Sequence, residues 1–411
     1  MKKTVKLMVV ILSVILMLCS CGNEETAKPK PSDNSSVTSG DTDSSVTDNF
    51  SDVGDDETLD LDFDDDFDSD FDDDFGGSGN YNDDESEDEQ EDAEEEEEEY
   101  VIPPFVQEYE DTGIHDPVKK LTPSEMMKKC IDDGLKVKET VIDIGLSKPV
   151  KLARITDSHL VYVNGADNAI AREQASIRYQ YYVDADKKLE RCVNYANALG
   201  VDLVTFTGDI WDFFSMGNLA KFKKATSVLD DFLFSLGNHE DIRKVGGNLT
   251  IGDELQLLRK TISKYVKNDL SFATRKVGEI TVVSMDNSRY TFSENQVEKM
   301  KAEIAKGRPI LIMMHTPLYT EKLLETAKAN NDAGSLMGYP DSVATSGGYR
   351  KMDSATKEMV DLINANPDII KGIFAGHLHY DHESNLESGI PQYLLRASVQ
   401  EKGFIEIIEV K

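Results

Sequence analysis

The sequence predicts an α/β fold for the region from Val141 to Lys411, and two observations support this prediction. Apolar runs of strand length alternate there with segments of helical periodicity, and five runs are each followed at once by side chains that can bind a metal ion. A region of about 270 residues can also bury a large core. In α/β folds ligands bind beyond the carboxyl ends of the strands, so we expect the functional site there.

Strands and helices alternate along this region. The strands predicted ahead of the metal-capable side chains are Val150–Thr156, Leu203–Thr207, Phe232–Leu236, Ile310–Met314 and Ile369–Ala375. Helical periodicity predicts helices between them at about 171–199, 217–229, 294–305 and 353–364.

The negative charge of the chain is concentrated in one segment. The 411 residues carry a formal net charge of −34, yet residues 41–100 alone hold 31 acidic residues and no Lys or Arg. Residues 101–411 are therefore nearly balanced, at −5. This distribution excludes a basic nucleic-acid footprint, and we expect nucleic acid as a partner only in the role of a substrate.

The first 21 residues have the pattern of an export signal. Three lysines among the first six residues precede an apolar run over 7–18, which is too short to span a bilayer comfortably. The segment Leu18-Cys19-Ser20-Cys21 resembles the bacterial lipobox, which implies cleavage before Cys21 and diacylglycerol on its thiol. The chain is therefore predicted to be exported and lipid-anchored to the extracytoplasmic face of the cell membrane. The alternatives are an ordinary secretory signal cut nearby and an uncleaved membrane anchor.

We divide the chain into four parts. Residues 1–20 are the lipoprotein signal peptide, and residues 21–100 are an acidic linker rich in Ser, Thr, Asp and Glu. The linker has too few apolar groups to offset the conformational entropy that ordering would cost. It is therefore predicted to be disordered. Residues 101–140 are a lead-in segment with a short helix from Pro123 to Asp133, and residues 141–411 are the α/β domain.

The acidic linker has a second interpretation. It is predicted to be a solvated spacer, and the alternative is a weak calcium- or partner-binding tract. An EF-hand fits poorly, because Phe67 replaces the required Gly and Asp73 the bidentate Glu. Beyond the export segment only Cys130 and Cys192 remain, so we expect no disulfide framework, and a bridge between these two stays open.

Five motifs follow the predicted strands, and their number carries more weight than any one of them. Each alone has an ordinary explanation, such as a turn or a helix cap. However, five of the seven histidines in the chain lie in these motifs. The motifs are Asp157-Ser158-His159, Gly208-Asp209-Ile210-Trp211-Asp212, Gly237-Asn238-His239-Glu240, His315-Thr316-Pro317 and Gly376-His377-Leu378-His379.

In order and identity the five motifs resemble those of the calcineurin-like metallophosphoesterase superfamily, over residues 157–379. The resemblance implies a four-layer α/β/β/α sandwich of two mixed sheets, with a dinuclear metal centre at one edge. It implies that Asp209 bridges the two metals, that His239 lies beside the substrate, and that Asp212 and Glu240 orient ligands. The implied ligands are Asp157, His159, Asp209 and His379 for the first metal, and Asp209, Asn238, His315 and His377 for the second.

The residue types agree with phosphate-ester chemistry. Two cations about 3.5–4 Å apart cancel the charge of the phosphate and lower the pKa of a water shared between them. Imidazole, carboxylate and amide ligands without thiolate suit Mn²⁺, Fe or Zn²⁺. Asn238 ligates without adding negative charge, and His239 could protonate the leaving oxygen. Glu240 is then either the orienting partner of His239 or a carboxylate at a helix start.

The predicted function is an exported, membrane-anchored, metal-dependent phosphoesterase that hydrolyses phosphate mono- or diesters with a hydroxide shared by two metals. One alternative is a non-catalytic surface module that captures phospholigands, and another is a protein whose acidic tract is a cation or partner tether. Arg243 and Lys244 either touch substrate or form a solvated face. The segment Gly334–Arg350 either shapes substrate access or is a surface insertion. The sequence carries no signal for an oligomeric state.

Overall fold

The structure is a computed structural model, and it describes residues 121–411. The predictions for the signal peptide, for lipidation of Cys21, for the linker 21–100 and for most of the lead-in segment lie outside these residues. Within residues 121–411 no helix is both long enough and apolar enough to cross a membrane.

Over the described residues the chain forms two mixed sheets. The first has five strands in the order β1-β11-β2-β3-β4. In this sheet β2, β3 and β4 are parallel, and β11 pairs antiparallel with β2 and parallel with β1. The strands are β1 (Lys136–Ile142), β2 (Val150–Ile155), β3 (Leu203–Thr207), β4 (Phe232–Ser235) and β11 (Phe404–Val410).

The second sheet of the described region has six strands in the order β5-β6-β7-β8-β10-β9. Its four central strands are parallel, and an antiparallel strand closes each edge. The strands are β5 (Phe272–Val277), β6 (Ile280–Met285), β7 (Ile310–Met313), β8 (Ile370–Ala375), β9 (His382–Asn385) and β10 (Pro391–Leu394).

Helices connect the strands and cover the outer faces of both sheets. A capping box of Thr122 and Glu125 begins the first helix, and Gly200, with φ of 70°, ends the third. The helices are α1 (Pro123–Asp132), α2 (Ala169–Arg178), α3 (Ala185–Leu199), α4 (Met216–Thr226), α5 (Gly252–Ile262), α6 (Glu294–Ile304), α7 (Glu321–Ala329), α8 (Asp341–Gly347) and α9 (Ser354–Asn364).

Three apolar cores separate the layers. The central strands are buried on both faces, so their side chains alternate between an inner and an outer core, as Leu152 and Ala153 do on β2. Leu152, Leu311 and Phe374 belong to the core between the sheets. One outer core packs the first sheet on α3, α4 and α5, and the other packs the second sheet on α6 and α9. The predicted four-layer α/β/β/α sandwich is thereby confirmed.

Two element boundaries differ from the prediction. The helix expected over 171–199 is two helices, α2 and α3, because the chain turns through Asp184 in a left-handed conformation with φ of 58°. Periodicity did not reveal this turn, since Asp is among the few residues that tolerate that conformation. The boundary expected at 141 falls inside β1, whose polar, half-exposed residues pair along the whole length of β11.

Both cysteines of the described region are buried free thiols. The Sγ of Cys130 lies 3.5 Å from the carbonyl oxygen of Arg191, and that of Cys192 lies 3.4 Å from the carbonyl of Phe404. Burial raises the pKa of Cys192 to about 12, so this thiol is unreactive at neutral pH. Cys192 thus has the packing role of a small apolar side chain.

A buried arginine forms an ion pair within the first sheet and also binds the second sheet next to the site. Arg154 on β2 is fully buried, and its Nε lies 2.7 Å from Glu406 Oε2 on β11. Its Nη1 donates across the inter-sheet core to the carbonyl oxygens of Ala375 at 3.0 Å and Tyr393 at 2.9 Å. Glu406 also accepts the hydroxyl of Thr140 at 2.5 Å. Arg154 therefore ties the strand that leads into Asp157 to the strand that leads into His377.

Replacing Arg154→Met should lower the free energy of unfolding by about 3–5 kcal/mol, because Glu406 would remain as a buried charge without its partner. The double variant Arg154→Met/Glu406→Leu should recover most of this loss. The measurement is urea denaturation at one fixed metal concentration. Lys357→Met, which removes one partner of the exposed pair with Asp361, is the control and should change little. An equal cost for Arg154→Met and Lys357→Met would contradict this role.

Candidate metal centre

The five motifs meet at one edge of the sandwich. Three of them follow the parallel strands β2, β3 and β4 of the first sheet, and two follow β7 and β8 of the second. Because parallel strands present their carboxyl ends at the same edge, the side chains that follow them converge. Three groups of residues each bring ligand-type atoms within 4.8 Å of one another there: a first of Asp157, His159 and His379, a second of Asp209, His315 and His377, and a third of His159, Asp212 and His239.

The second group closes around His315 Nε2. This nitrogen lies 3.0 Å from Asn238 Oδ1, 3.1 Å from His377 Nδ1 and 3.2 Å from Asp209 Oδ2. The other ring nitrogen of His315, Nδ1, donates to the carbonyl oxygen of Thr207 at 2.9 Å. Although burial lowers it, the neighbouring Asp209 raises the pKa of His315 to about 10, so at neutral pH Nε2 carries a proton that it shares with the oxygens of Asp209 and Asn238, and a cation bound there would take the place of that proton.

The first group has the same character. His159 Nδ1 lies 2.9 Å from the carboxylate of Asp212 and donates to it, which leaves Nε2 as an acceptor. His159 Nε2 faces His379 Nε2 at 3.0 Å, and that nitrogen lies 3.3 Å from Asp157 Oδ1. Asp209 Oδ2 is 3.9 Å from His159 Nε2, so this oxygen stands between the two groups.

These atoms fit a pair of cations. Lone pairs that point at one another over 3.0–3.3 Å repel unless a proton or a cation lies among them. Imidazole, carboxylate and amide donors without thiolate are suited to Mn²⁺, Fe or Zn²⁺. The donor set therefore satisfies the requirement of a dimetal centre, with Asp209 placed to serve both positions.

Backbone N–H groups orient the two carboxylates. The N–H of His377 donates to Asp157, at 3.1 Å to Oδ1 and 3.2 Å to Oδ2, and the hydroxyl of Thr156 donates to Oδ2 at 2.6 Å. The N–H of His239 donates to Asp209 Oδ1 at 3.0 Å. Asp209 Oδ2 is thereby directed at the imidazoles, as a bridging position requires.

The protonation states of Asp209 and His377 favour metal binding. Although burial raises it, the imidazoles of His315 and His239 hold the pKa of Asp209 well below its usual value. Burial, together with the neighbouring His315, lowers the pKa of His377 to about 3. At neutral pH Asp209 is ionised and the His377 ring is neutral, which are the forms that coordinate metals.

Asp212 orients His159 from outside the group. Its carboxylate accepts His159 Nδ1 and also Arg178, whose Nε lies 2.5 Å and Nη2 3.0 Å away. Burial raises the pKa of Asp212, but these hydrogen bonds outweigh it and lower the pKa to about 2. His159 also stacks on the ring of Tyr182, with centroids 4.5 Å apart. The ring is therefore fixed on its edge and on its face.

Glu240 does not contact the His239 ring, contrary to one of the two expectations, and it does not begin a helix, contrary to the other. It is fully buried and accepts three backbone N–H groups, those of Gly237 at 2.7 Å, Asp209 at 3.0 Å and Ile210 at 2.6 Å. Burial and the nearby Asp209 raise its pKa well above the usual value. Glu240 thus joins the loops after β3 and β4 through their backbones.

His239 is oriented by a backbone carbonyl. Its Nδ1 donates to the carbonyl oxygen of Asp212 at 2.8 Å, and the Asp212 carboxylate lies 3.4 Å from the same nitrogen. The side chain is 16% exposed, against 34% for His379 and 2% for His159. Nε2 is the nitrogen left for a substrate.

The absence of a Cβ at three glycines lets the loops that follow the strands come close to the ligand-type side chains. A Cβ on Gly237 would overlap Asp209 Oδ1, and one on Gly376 would overlap Asp157 Oδ2 and Thr156 Oγ1. Gly208 has φ of 83°, and its Cβ would meet the ring of His315. The glycine that begins three of the five motifs is therefore required by contacts with the ligand side chains.

Three residues of the site were missed by the sequence reasoning. Asn287 accepts the N–H groups of His315 and Thr316, both at 3.1 Å, and Tyr290 places its hydroxyl 3.0 Å from His377 Nε2. The third is Arg178. A signal existed for Asn287, because the polar run Asp286–Ser288 follows the apolar strand β6 directly. Arg178 gave no local signal, since it reaches the site from the end of a surface helix.

The fold and the site define the class of the protein. The family model described as calcineurin-like phosphoesterase matches residues 150–381, which is more than half of the chain. The chain therefore belongs to this family, as its motifs predicted, and it is a hydrolase of phosphoric ester bonds. Family and donor clusters together suggest a dimetal centre.

Several solved structures are similar to this chain. A dimetal phosphatase from Danio rerio is 13% identical with a TM-score of 0.39, over 60% of this chain and 87% of that one. A phosphopantetheinyl hydrolase from Mycobacterium tuberculosis is 10% identical with a TM-score of 0.33, over 60% and 90%. A NAD nucleotidase from Haemophilus influenzae is 15% identical with a TM-score of 0.32, over 61% of this chain and 45% of that one. No curated protein matches the sequence.

Replacing Gly237→Ala should lower the affinity for metal ions roughly 10- to 100-fold, because the new methyl group would displace the Asp209 carboxylate. Isothermal titration with Mn²⁺ measures this effect. Gly165→Ala is the matched control, since a Cβ there meets no atom within 4 Å. Circular dichroism should show that both variants are folded. Unchanged metal affinity in folded Gly237→Ala would contradict the geometry.

Proposed function

We propose that this protein is an exported, membrane-anchored phosphoesterase that hydrolyses phosphate mono- or diesters with two divalent metals, Mn, Fe or Zn. The single observation that supports the reaction is the convergence of ligand-type atoms from all five motifs, with Asp209 Oδ2 3.2 Å from His315 Nε2 and Asn238 Oδ1 3.0 Å from that same nitrogen. Asp157, His159, Asp209 and His379 would hold the first metal. Asp209, Asn238, His315 and His377 would hold the second.

The metals, when bound, would neutralise the phosphate and supply a nucleophile at neutral pH. The protein's own residues have separate tasks. Asp209 would hold both cations, and Asn238 would contribute an oxygen without reducing the positive charge that attracts the phosphate. From its imidazolium form His239 would donate the proton on Nε2 to the leaving oxygen, which would depart as a hydroxyl while the ring becomes neutral.

The location of the enzyme rests on the sequence of its first 21 residues. A charged start, an apolar run and the segment before Cys21 are the features of a lipoprotein signal. The acidic residues 41–100 would repel one another and extend, so they would hold the catalytic domain away from the anchor. A phosphate ester outside the cytoplasm is the substrate that such a location would offer.

The full chain should bind about two metals and hydrolyse p-nitrophenyl phosphate or its bis ester, with each of Mn²⁺, Fe²⁺, Zn²⁺ and Mg²⁺ tested separately. Asp209→Asn should lower kcat/KM at least ~100-fold, because it removes the shared negative charge. Asp368→Asn, at an exposed position, is the control and should have wild-type activity. A folded, metal-loaded protein that binds phosphate esters without turnover would instead favour the non-catalytic phospholigand-binding alternative.

Expression of the full chain in a bacterial host with labelled palmitate tests the anchor. Cys21→Ser should abolish the lipid label and release the protein from the membrane fraction, because the acylated thiol is lost. Cys19→Ser removes the neighbouring thiol and should keep both the label and the membrane location. Membrane association of the wild type without any label would indicate an uncleaved membrane anchor, and export without association would indicate an ordinary secretory signal.

A further inference from the structure

A cavity of about 260 Å³ opens beside the metal centre and shares Asn238 and His239 with it. Its other walls come from segments that contribute no proposed ligand, namely 242–249 after β4, Ser288–Tyr290 after β6, and Arg350. This volume is at the small end of ligand sites in proteins. The cavity is therefore placed to hold the part of a small phosphate ester that lies beyond the phosphate.

The charge of this cavity is opposite to that of the chain. Lys244, Arg289 and Arg350 line it and no Asp or Glu does, whereas residues 101–411 as a whole carry a net charge of −5. Arg289 is offset by Asp241, whose Oδ1 lies 2.5 Å away. Lys244 has only a loose, exposed contact of 3.9 Å with Glu173. Within residues 121–411 no carboxylate pairs with Arg350, so the cavity has uncompensated positive charge.

A second cavity shows that this charge is not a general property of the surface. It measures about 880 Å³, lies between α7, α8 and α9, and contains no residue of the metal centre. Its charged residues are mostly acidic: Glu321, Asp341, Asp361 and Glu387, with Lys322 and Lys357.

Arg350 is held in place relative to the metal centre. Its Nη1 donates to the carbonyl oxygen of Arg289 at 3.2 Å, and its guanidinium carbon lies 5.1 Å from the centre of the Tyr290 ring. The hydroxyl of Tyr290 is in turn 3.0 Å from His377 Nε2. The segment that carries Arg350 is ordered, because Tyr339 within it is fully buried and stacks on Tyr349, with centroids 4.7 Å apart.

A guanidinium fixed in this way is suited to one kind of ligand. Its remaining N–H groups form a planar fork that matches the two oxygens of a carboxylate or a phosphate. Although Arg350 is exposed, this hydrogen bond and this ring contact already restrict its rotamers, so binding costs less side-chain entropy than it would for an unrestrained arginine. The cavity also has an apolar wall, with Ile242 and Val245, against which a short carbon skeleton can lie.

We propose that Arg350, assisted by Lys244, binds a second anionic group on the leaving group of the phosphate ester. The substrate class is then a small organic phosphate that carries a carboxylate or another phosphate one short skeleton away from the ester. This inference rests on the proposed function for the reaction at the metal centre. It assigns Lys244 and the segment Gly334–Arg350 to substrate recognition, whereas Arg243 pairs with Glu254 instead.

The test uses phosphonates, which bind but are not hydrolysed. Benzylphosphonate, 4-carboxybenzylphosphonate and 1,4-xylylenebisphosphonate are titrated calorimetrically into the full chain at one saturating Mn²⁺ concentration. One or both of the ligands with a second anion should bind the wild type about tenfold or more tightly than benzylphosphonate. Which of the two binds more tightly distinguishes a carboxylate from a phosphate as the recognised group.

Three variants separate the role of Arg350 from general charge. Arg350→Met should abolish the preference for the second anion, and Arg350→Lys should retain part of it, because it keeps the charge and loses the fork. Lys351→Met is the matched control, since it removes the same charge from the next, exposed residue, which does not line the cavity. The control should keep the wild-type preference. Equal binding of the ligands by the wild type, or a preference that survives in Arg350→Met, would overturn the proposal.

Hydrolysis measured alongside keeps the two proposals apart. Phenyl phosphate and 4-carboxyphenyl phosphate are compared by release of inorganic phosphate. Turnover of both with equal kcat/KM, joined to equal phosphonate binding, overturns the role of Arg350 and leaves the phosphoesterase intact. A phosphonate preference that depends on Arg350 in a protein that hydrolyses neither ester supports the anion site and counts against the proposed reaction.

Discussion

The structure depends on an arrangement that is costly by itself, namely the burial of carboxylates and imidazoles against one another. Oxygens and imidazole nitrogens of seven side chains face one another at one edge of the sandwich, several of them only 3.0–3.3 Å apart. The backbone is under strain at the same place. Five of these seven residues have positive φ, which costs roughly 1–2 kcal/mol each for a residue other than glycine. They are Asp157, His159, Asp209, His377 and His379.

The rest of the fold provides the stabilising free energy that offsets the cost of this convergence. Apolar cores on both faces of each sheet hold the strands rigidly, and Arg154 joins them across the middle layer. The loops that follow the strands are then positioned by hydrogen bonds from backbone N–H groups to the side chains of Glu240, Asn287 and Asp157. Since bound cations would neutralise the carboxylates and occupy the imidazole nitrogens, metal binding would stabilise this edge. Backbone strain concentrated at a functional edge is the pattern expected of a preorganised site.

The sequence revealed much of this edge and little of what supports it. Strand positions and ligand-type residues were predictable, because each follows a buried apolar run and the same few residue types recur. The hydrogen bonds from backbone N–H groups to Glu240 could not be predicted from the sequence. Two of the three donors, Asp209 and Ile210, lie about 30 positions away in the chain, and a backbone donor has no side-chain signature. Arg178 and Tyr290 belong to the same category. The division of the long predicted helix was missed for a different reason, because a single left-handed Asp184 leaves the apolar periodicity almost unchanged.

The walls of the small cavity and the atoms of the reactive centre come from different stretches of chain. Residues 242–249 and Gly334–Arg350 can change in length or composition without altering any strand that carries a metal-type side chain. Duplicated copies of such a gene could therefore diverge in substrate specificity while the reaction they catalyse stayed the same. Variation among descendants of one ancestor would accumulate in these two stretches and spare the five motifs.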